Sequence, residues 1–274
     1  MLSAAIPKDH TYLPPHFEIR KLDPVHTTWA NAIFSHSNTF YASIKWSSTN
    51  PENQAAFCYK LFRGADYLIR HQINSGMSFG IFDTTYKYQH PESVELGGKL
   101  YWDESDLAAT NEQLLAQMDF PLVSIAMSYD AYDPPDMTKM ADFMDASPLF
   151  GLFFGELEAR DARDSSTRKV EGPQKVLQRN GTSTRADYGA QGLMKKLAKW
   201  LMHEAAGRGY IGIEIPCAHD AVIKAWLNPP SPFEASVVSQ FDAKTYEKEV
   251  DGHMIKPFAP SEQVGARIYV SLPN

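Results

Sequence analysis

The segment from Thr184 to Tyr210 constrains the fold of this chain more than any other. A turn with glycines at 189 and 192 leads into a long amphipathic pattern, and glycines at 207 and 209 end that pattern. The apolar residues 210–215 then predict a strand, and residues 175–184 predict another strand before the turn. A strand, a tight turn, a helix and a second strand in this order are typical of a layered α/β domain.

The turn itself is a candidate anion site. The first N–H groups of a helix have no partners within the helix, and the helix dipole adds partial positive charge at the same place. Small residues such as Gly189 and Gly192 let a phosphate group approach the backbone closely. An ordinary structural turn between strand and helix is the alternative interpretation of the same residues.

Composition narrows the classes of function. The 274 residues are 43% apolar and contain no convincing linker, which predicts a single domain spanning residues 1–274. A net charge of −7 argues against nucleic acid and an anionic membrane surface as partners. The sequence has no apolar run of membrane-spanning length and no secretion-signal pattern, and its two cysteines lie far apart. We therefore expect a reduced cytoplasmic protein without a membrane span.

Hydrophobic periodicity and turn residues predict helices and strands along most of the chain. Residues 1–15 are predicted to be an extended N-terminal segment, Asp23-Pro24 and Asn50-Pro51-Glu52 to start helices, and residues 160–174 to form an exposed, mobile loop. The other predicted helices cover 104–118, 137–160 with a break at Ser147-Pro148, 191–206 and 219–227. The predicted strands are 17–20, 78–83, 122–128, 175–184, 210–215, 235–241 and 266–272.

This order of elements resembles the GCN5-related N-acetyltransferase (GNAT) family, most closely over residues 175–228. The stretch 184–188 matches the end of the family's motif strand, 189–194 matches its Q/R-x-x-G-x-G/A turn, and 205–209 matches its helix exit. The resemblance implies an α/β fold with a mixed, mostly antiparallel central sheet flanked by helices. It also implies that residues 175–228 are the acyl-CoA-binding core and that residues 87–174 are an insertion that shapes the acceptor site.

The same resemblance implies acetyl-CoA, or another acyl-CoA, as co-substrate, and no metal. The residues that would hold its pyrophosphate through the backbone are Gly189, Ala190, Gln191, Gly192, Leu193 and Met194. Ser183 and Thr184 would lie near the acyl carbonyl; plain strand polarity is the alternative. Two residues depart from the family pattern, because Gly189 replaces a usual Gln or Arg and Met194 replaces a small residue.

Candidate catalytic residues follow from the chemistry of acyl transfer. Trp226 stands where family members often carry a tyrosine that protonates the leaving thiolate, and indole has no proton to give near neutral pH. Tyr188 and His219 are therefore candidates for the acid, and Glu214 is the candidate base. The alternatives are an outward-facing strand residue for Glu214 and a surface histidine at a helix start for His219.

Candidate acceptor residues follow the predicted strand 122–128. The side chains of Tyr129, Asp130 and Tyr132 form an aromatic and acidic turn that suits a cationic amine, with a plain surface turn as the alternative. Cys217 ends a strand near the expected thioester, and a buried, inert thiol is the favoured interpretation.

The predicted function is transfer of an acyl group to the amine of a small molecule, directly and within a ternary complex. Two alternatives stay open. The chain could keep an acyl-CoA site for other chemistry or for sensing, or it could be a non-enzymatic interaction protein with a structural glycine turn.

Overall fold

The structure is a computed structural model that describes residues 13–46 and 53–273. Within these residues, seven strands form one mixed sheet. The strands are β1 (Phe17–Lys21), β2 (Phe79–Asp83), β3 (Lys99–Leu100), β4 (Met118–Asp119), β5 (Leu122–Asp130), β6 (Val176–Thr184), β7 (Gly212–Cys217), β8 (Glu234–Asp242), β9 (Lys248–Val250), β10 (His253–Ile255) and β11 (Val264–Ser271). The order in the large sheet is β1-β2-β5-β6-β7-β11-β8. Only the β6–β7 pair of this described sheet is parallel, which confirms the predicted mixed, mostly antiparallel sheet.

Helices cover both faces of the sheet. They are α1 (Thr27–Phe40), α2 (Gln54–Asn74), α3 (Pro91–Leu96), α4 (Asn111–Ala116), α5 (Ala141–Ala146), α6 (Pro148–Ala159), α7 (Ser165–Arg168), α8 (Leu193–Gly207) and α9 (Asp220–Trp226). Side chains of β5 reach both layers, because Val123 and Ala126 pack in the α8 cluster while Ile125 and Met127 pack in the α1–α2 cluster. The order changes at Val123, which the irregular pairing with β2 skips. The sheet is therefore buried on both sides, with α8 and α9 on one face and α1, α2 and α6 on the other.

The parallel strands β6 and β7 separate after only three paired positions. Val176 pairs with Gly212, Leu177 with Ile213 and Gln178 with Glu214, and no described pair follows although β6 continues to Thr184. On its other side β6 follows β5 through a register shift between Ala126 and Ser128, where Gly181 adopts a φ of 114°. A β-bulge bends and twists its strand. The bulge therefore turns β6 away from β7 and opens a wedge-shaped gap between them.

Two parts of the predicted organisation need correction. Strand β5 lies in the centre of the sheet between β2 and β6, so residues 87–174 are not wholly an insertion. The predicted helix 104–118 is wrong, since only Asn111–Ala116 is helical. The carboxylates of Asp103 and Asp106 accept hydrogen bonds from the amides of Ser105 and Ala108, and such local bonds compete with helix.

The polar segment 160–174 is not a free loop. It contains α7, and the guanidinium of Arg163 bonds the carboxylate of Asp161 at 2.6 Å and that of Glu214 on β7 at 3.2 Å. These contacts fasten the segment to the sheet. The short hairpin of β9 and β10 has no counterpart in the prediction. The helix start at Asn50-Pro51-Glu52 lies outside the described residues, and α2 begins at Gln54 after Asn53, whose side chain caps it.

Candidate active site

The start of α8 has the geometry of an open anion site. Gly192 caps the helix with a φ of 69°, and Ala190 has a φ of 59°, so the backbone of the turn curls around its own N–H groups. The first amide bonded within the helix is that of Lys196, which donates to the carbonyl of Gly192 at 3.1 Å. None of the amides from Ala190 to Lys195 donates to an acceptor in residues 13–46 or 53–273. Residues 189–192 are exposed, while Leu193, the first residue of α8, is buried.

Buried polar contacts hold the turn in place. The guanidinium of Arg185 is almost fully buried and donates to the carbonyls of Met118 at 2.8 Å and Phe120 at 3.0 Å. It also donates to the carboxylate of Asp187 at 2.8 Å. Arg185 therefore ties the chain just before the turn to the loop that leads into β5.

A cleft opens where β6 and β7 separate. Its volume is about 190 Å³. Its walls are residues 180–183 of β6, residues 215–219 at the end of β7, and side chains from α1, the segment after it and α6. The aromatic lining residues are Phe34, Tyr41, Trp46, Phe150 and Phe154. Among the described lining residues there is no Asp, Glu, Lys or Arg, so the described wall of the cleft combines aromatic side chains with uncharged polar groups and one imidazole.

The predicted cofactor residues divide between the turn and the cleft. Ser183 is buried and lines the cleft, while the hydroxyl of Thr184 shares a hydrogen bond of 2.8 Å with that of Ser124 and lies outside it. The six residues from Gly189 to Met194 form the turn and the first residues of α8. An added Cβ at Gly192 would meet no atom within 4 Å, so the space beside the helix start is free.

His219 stands at the mouth of the cleft. It is exposed, lines the cleft and caps α9, because its Nδ1 accepts a hydrogen bond of 3.0 Å from the amide of Ala221. This bond assigns the ring proton of the neutral imidazole to Nε2. An imidazole in that state donates a hydrogen bond but does not accept a proton without losing the cap.

Glu214 lies outside this cleft. It lines a separate cavity of about 920 Å³ at the paired end of β6 and β7. One carboxylate oxygen accepts from Arg267, and the other accepts from Arg163 at 3.2 Å. Both oxygens are therefore engaged by guanidinium groups, which argues against the predicted role of Glu214 as a base.

The predicted acceptor residues lie at that second cavity as well. Tyr129 and Tyr132 line it together with Glu214, and burial raises the pKa of Tyr129 to about 12. The carboxylate of Asp130 accepts hydrogen bonds from the amides of Gln174 at 2.6 Å and Tyr132 at 3.0 Å, which makes it a turn-forming residue. The structure thus brings Tyr129, Tyr132 and Glu214 together, but away from the gap.

Tyr188 is also remote from the cleft lining. Its hydroxyl donates to the carboxylate of Asp83 at 2.8 Å. Burial, and then this hydrogen bond, raises the pKa of Tyr188 well above the usual value for a phenol. Its predicted role as an acid stays a prediction that these contacts do not favour.

Two buried residues of the gap bear on the chemistry. Burial raises the pKa of the Cys217 thiol far above its usual value, as expected for an inert thiol. Arg179 was missed by the sequence analysis, although it is 1% exposed and lies at the closed end of the gap. Its sequence context, Gln178-Arg179-Asn180, gives no signal of burial.

Metal and membrane signatures are not found in the described chain. Residues 13–46 and 53–273 hold no group of three or more His, Cys, Asp or Glu side chains suited to a metal ion. Within those same ranges no helix combines the length and apolar character that crossing a bilayer requires.

Comparisons with known proteins find similarity of structure only. No protein-family model matches the sequence, and no curated protein does. The C-terminal condensation domain of Ebony, solved with beta-alanyl-dopamine, is 14% identical with a TM-score of 0.56 and covers 92% of this chain and 97% of its own. Arylalkylamine N-acetyltransferase 2 of Aedes aegypti is 12% identical with a TM-score of 0.54, over 95% and 100% of the two chains. The Drosophila melanogaster polyamine N-acetyltransferase, which forms N-acetylagmatine, is 11% identical with a TM-score of 0.52, over 94% and 100%. The three TM-scores show that the chains share a fold, and the low sequence identities limit the comparison to the fold.

Proposed function

We propose that this chain, which has the fold of the GCN5-related N-acetyltransferases, is an acyl-CoA-dependent N-acyltransferase. Its acyl donor is acetyl-CoA or a close relative, and its acceptor is an amine carried on an aromatic or apolar body. The acceptor nitrogen attacks the thioester directly while both substrates are bound. The observation that carries the proposal is the open helix start of α8 beside the gap between β6 and β7.

The helix start supports binding of a diphosphate. Six consecutive amides, from Ala190 to Lys195, have no acceptor in the described chain. Backbone N–H groups without acceptors at the start of a helix of 15 residues, with the positive end of its dipole, suit a doubly charged anion. Lys195 and Lys196 follow at once and add positive charge nearby.

The gap supports binding of an extended arm. Where β6 and β7 separate, their facing backbone N–H and C=O groups lose their strand partner. A pantetheine arm carries amide groups of its own, so it is able to pair with such an edge as an added strand does. An arm that starts at the α8 turn and follows β6 would bring its thioester to Ser183 and the cleft.

The cleft supports the class of acceptor. Its lining includes five aromatic side chains, and its described polar groups are uncharged or imidazole, including Asn38, Thr182 and His219. A second cationic group on the acceptor would find no carboxylate among the described lining residues. An amine on an aromatic body therefore fits better than a diamine or a guanidine-bearing amine.

A calorimetric titration with CoA tests the proposal. The wild-type protein is expected to bind CoA, and Gly192→Asp is expected to weaken binding roughly 100-fold or more because a carboxylate then faces the diphosphate. Gly192→Asn is the matched control, since asparagine has the same shape, tolerates a positive φ and carries no charge. Equal affinities of the wild type and the Asp variant would show that the diphosphate site lies elsewhere.

A second candidate function keeps the ligand and omits the transfer. Trp226 favours this second function, because it stands where the resemblance places the tyrosine acid of the family. Its side chain is fully buried. Release of free thiol from acetyl-CoA separates the two functions. We expect release with phenethylamine and much less with agmatine; binding of CoA without release for any amine would favour a sensor.

A further inference from the structure

The closed end of the gap holds a cation that no described carboxylate neutralises. Arg179 follows directly after Gln178, the last residue of β6 that pairs with β7. It is 1% exposed, and in the described part of the chain it forms no ion pair. An unpaired buried charge is costly in a protein, which makes its presence here informative.

Neutral oxygens occupy part of this guanidinium. Its Nη atoms donate to the carbonyl of Met127, to the Ser128 hydroxyl at 3.2 Å, to the Gly181 carbonyl at 3.4 Å and to the Thr182 hydroxyl at 2.6 Å. These bonds satisfy donors at the β5–β6 bulge but leave the positive charge in place. The Nε–H of Arg179 has no partner among the described residues.

A second orphaned donor lies beside the first. The guanidinium carbon of Arg179 is 5.8 Å from the centre of the Trp226 ring. Trp226 is fully buried, and its indole Nε1–H also lacks a partner in the described chain. The face of the Trp226 ring and the four neutral oxygens stabilise the guanidinium, but none of them carries a negative charge.

The charge lies directly behind the wall of the cleft. Gly181 and Thr182, which accept from the guanidinium, both line the cleft, and so does Cys217. Burial raises the pKa of the Cys217 thiol, while the positive charge of Arg179 acts in the opposite direction. Cys217 therefore lies close enough to Arg179 to interact with its charge, although burial has the larger effect on this thiol. Burial lowers the pKa of Arg179 to about 9, so it is still a cation at neutral pH.

We propose that the positive charge of Arg179, acting through the wall of the cleft at Gly181 and Thr182, stabilises the thiolate that leaves when the acyl group is transferred. The inference rests on the proposed function. The acceptor nitrogen forms a bond to the thioester carbon, the carbon–sulfur bond breaks, and its electron pair stays on sulfur. The acceptor ammonium gives one proton to water before it attacks, which frees its lone pair, and the nitrogen gives a second proton to water as the amide forms. The thiolate leaves as an anion, so no tyrosine acid is needed at position 226.

The pH dependence of CoA binding, compared with that of desulfo-CoA, tests this role. If Arg179 favours the thiolate, the affinity for CoA rises with pH, by about tenfold for each unit by which the thiol pKa is lowered in the complex. Desulfo-CoA has no thiol and should show no such rise. Tyr41, Cys217 and His219 also face the cleft and act on the same thiol, so the Arg179 variants are needed to separate the contribution of Arg179 from theirs. The ultraviolet absorbance of the thiolate reports the same ionisation independently.

Variants assign the effect to its residues. Arg179→Met should abolish the rise in the CoA to desulfo-CoA affinity ratio, and Arg179→Lys should retain part of it. Trp226→Phe keeps an aromatic ring against Arg179 and should leave the rise within about twofold of the wild type. If Arg179→Met does not fold, the wild-type ratio and the Lys variant still decide. A wild-type ratio that does not change with pH overturns the inference while the proposed function stands. Failure of both ligands to bind overturns both.

Discussion

The two ends of the β6–β7 pair differ in whether their charged side chains have partners of opposite charge. At the paired end, Glu214 binds Arg163 and Arg267, and Asp161 binds Arg163 at 2.6 Å, so positive and negative groups neutralise one another. At the separated end, Arg179 is buried more deeply and has no carboxylate among the described residues. The two charged centres belong to the same pair of strands, and only one of them is compensated.

This difference separates a structural role from a functional one. The compensated end joins the segment 160–174 to β7 and β11, which explains why so many charges gather there. The uncompensated end lies behind an open cleft, where a charge without a partner is useful only if a ligand brings the opposite charge. We therefore place the chemistry at the separated end.

Glu214→Gln should produce the largest effect on stability. It removes the carboxylate that Arg163 and Arg267 share, but each guanidinium keeps a second carboxylate, Asp161 for Arg163 and Glu158 for Arg267. We therefore expect a loss of about 2 kcal/mol, typical of hydrogen bonds to a charged group. Urea unfolding measures this loss. Glu158→Gln is the control, since Glu158 is 53% exposed and its removal should cost less than about 1 kcal/mol.

The same variant tests the prediction that Glu214 is the catalytic base. In folded Glu214→Gln protein, turnover should stay within about twofold of the wild type, because the carboxylate is engaged by arginines and lies outside the cleft. A fall in kcat of about 100-fold with an intact fold would restore Glu214 as the base and weaken the division between the two ends.

Substitution of His219 should have a smaller effect on stability. Two variants separate the loss of the α9 cap from a loss of proton transfer. His219→Ala removes the cap of α9 and should cost about 1 kcal/mol, whereas His219→Asn restores a capping side chain. We expect turnover of the Asn variant close to that of the wild type. Strong loss of turnover in both variants, with a changed pH profile, would instead assign proton transfer to the imidazole.

Lowering the pH should reduce the free energy of unfolding through the compensated end, and this should be the smallest of the expected effects. The hydrogen bond from Arg163 holds the pKa of Asp161 below its ordinary value of 3.8. This contribution to stability is present above the ordinary value and is lost as the pH falls through the folded-state pKa. Asp161→Asn should reduce the fall of the unfolding free energy at low pH. Glu171→Gln, on the exposed part of the same segment, should leave that fall unchanged. An unchanged acid limb in the Asn variant would contradict the ion-pair account.

Local sequence was enough to predict the elements with strong periodicity. The turn at Gly192, the helix after it and the strands on either side follow from glycine placement and an apolar stripe, and the structure has them within about two residues of the prediction. The stretch 104–110 is charged and contains two aspartates that form turns, and there local hydrogen bonds overrode the helical pattern.

The site was harder to predict than the fold. Glu214 follows the alternation of β7, but its partners Arg163 and Arg267 lie 51 and 53 residues away, so its neutralisation was not visible in sequence. Arg179 looked like an ordinary polar strand residue. Its burial depends on the β5–β6 bulge and on Trp226, which are tertiary features without a local signature.

A crystal structure of the protein with CoA tests the central claim most directly. The account predicts the diphosphate within about 2.7–3.2 Å of the amides from Ala190 to Lys195, and the sulfur between β6 and β7 beside the wall formed by Thr182 and Cys217. A diphosphate bound away from the start of α8, or an arm that avoids the gap, would contradict it.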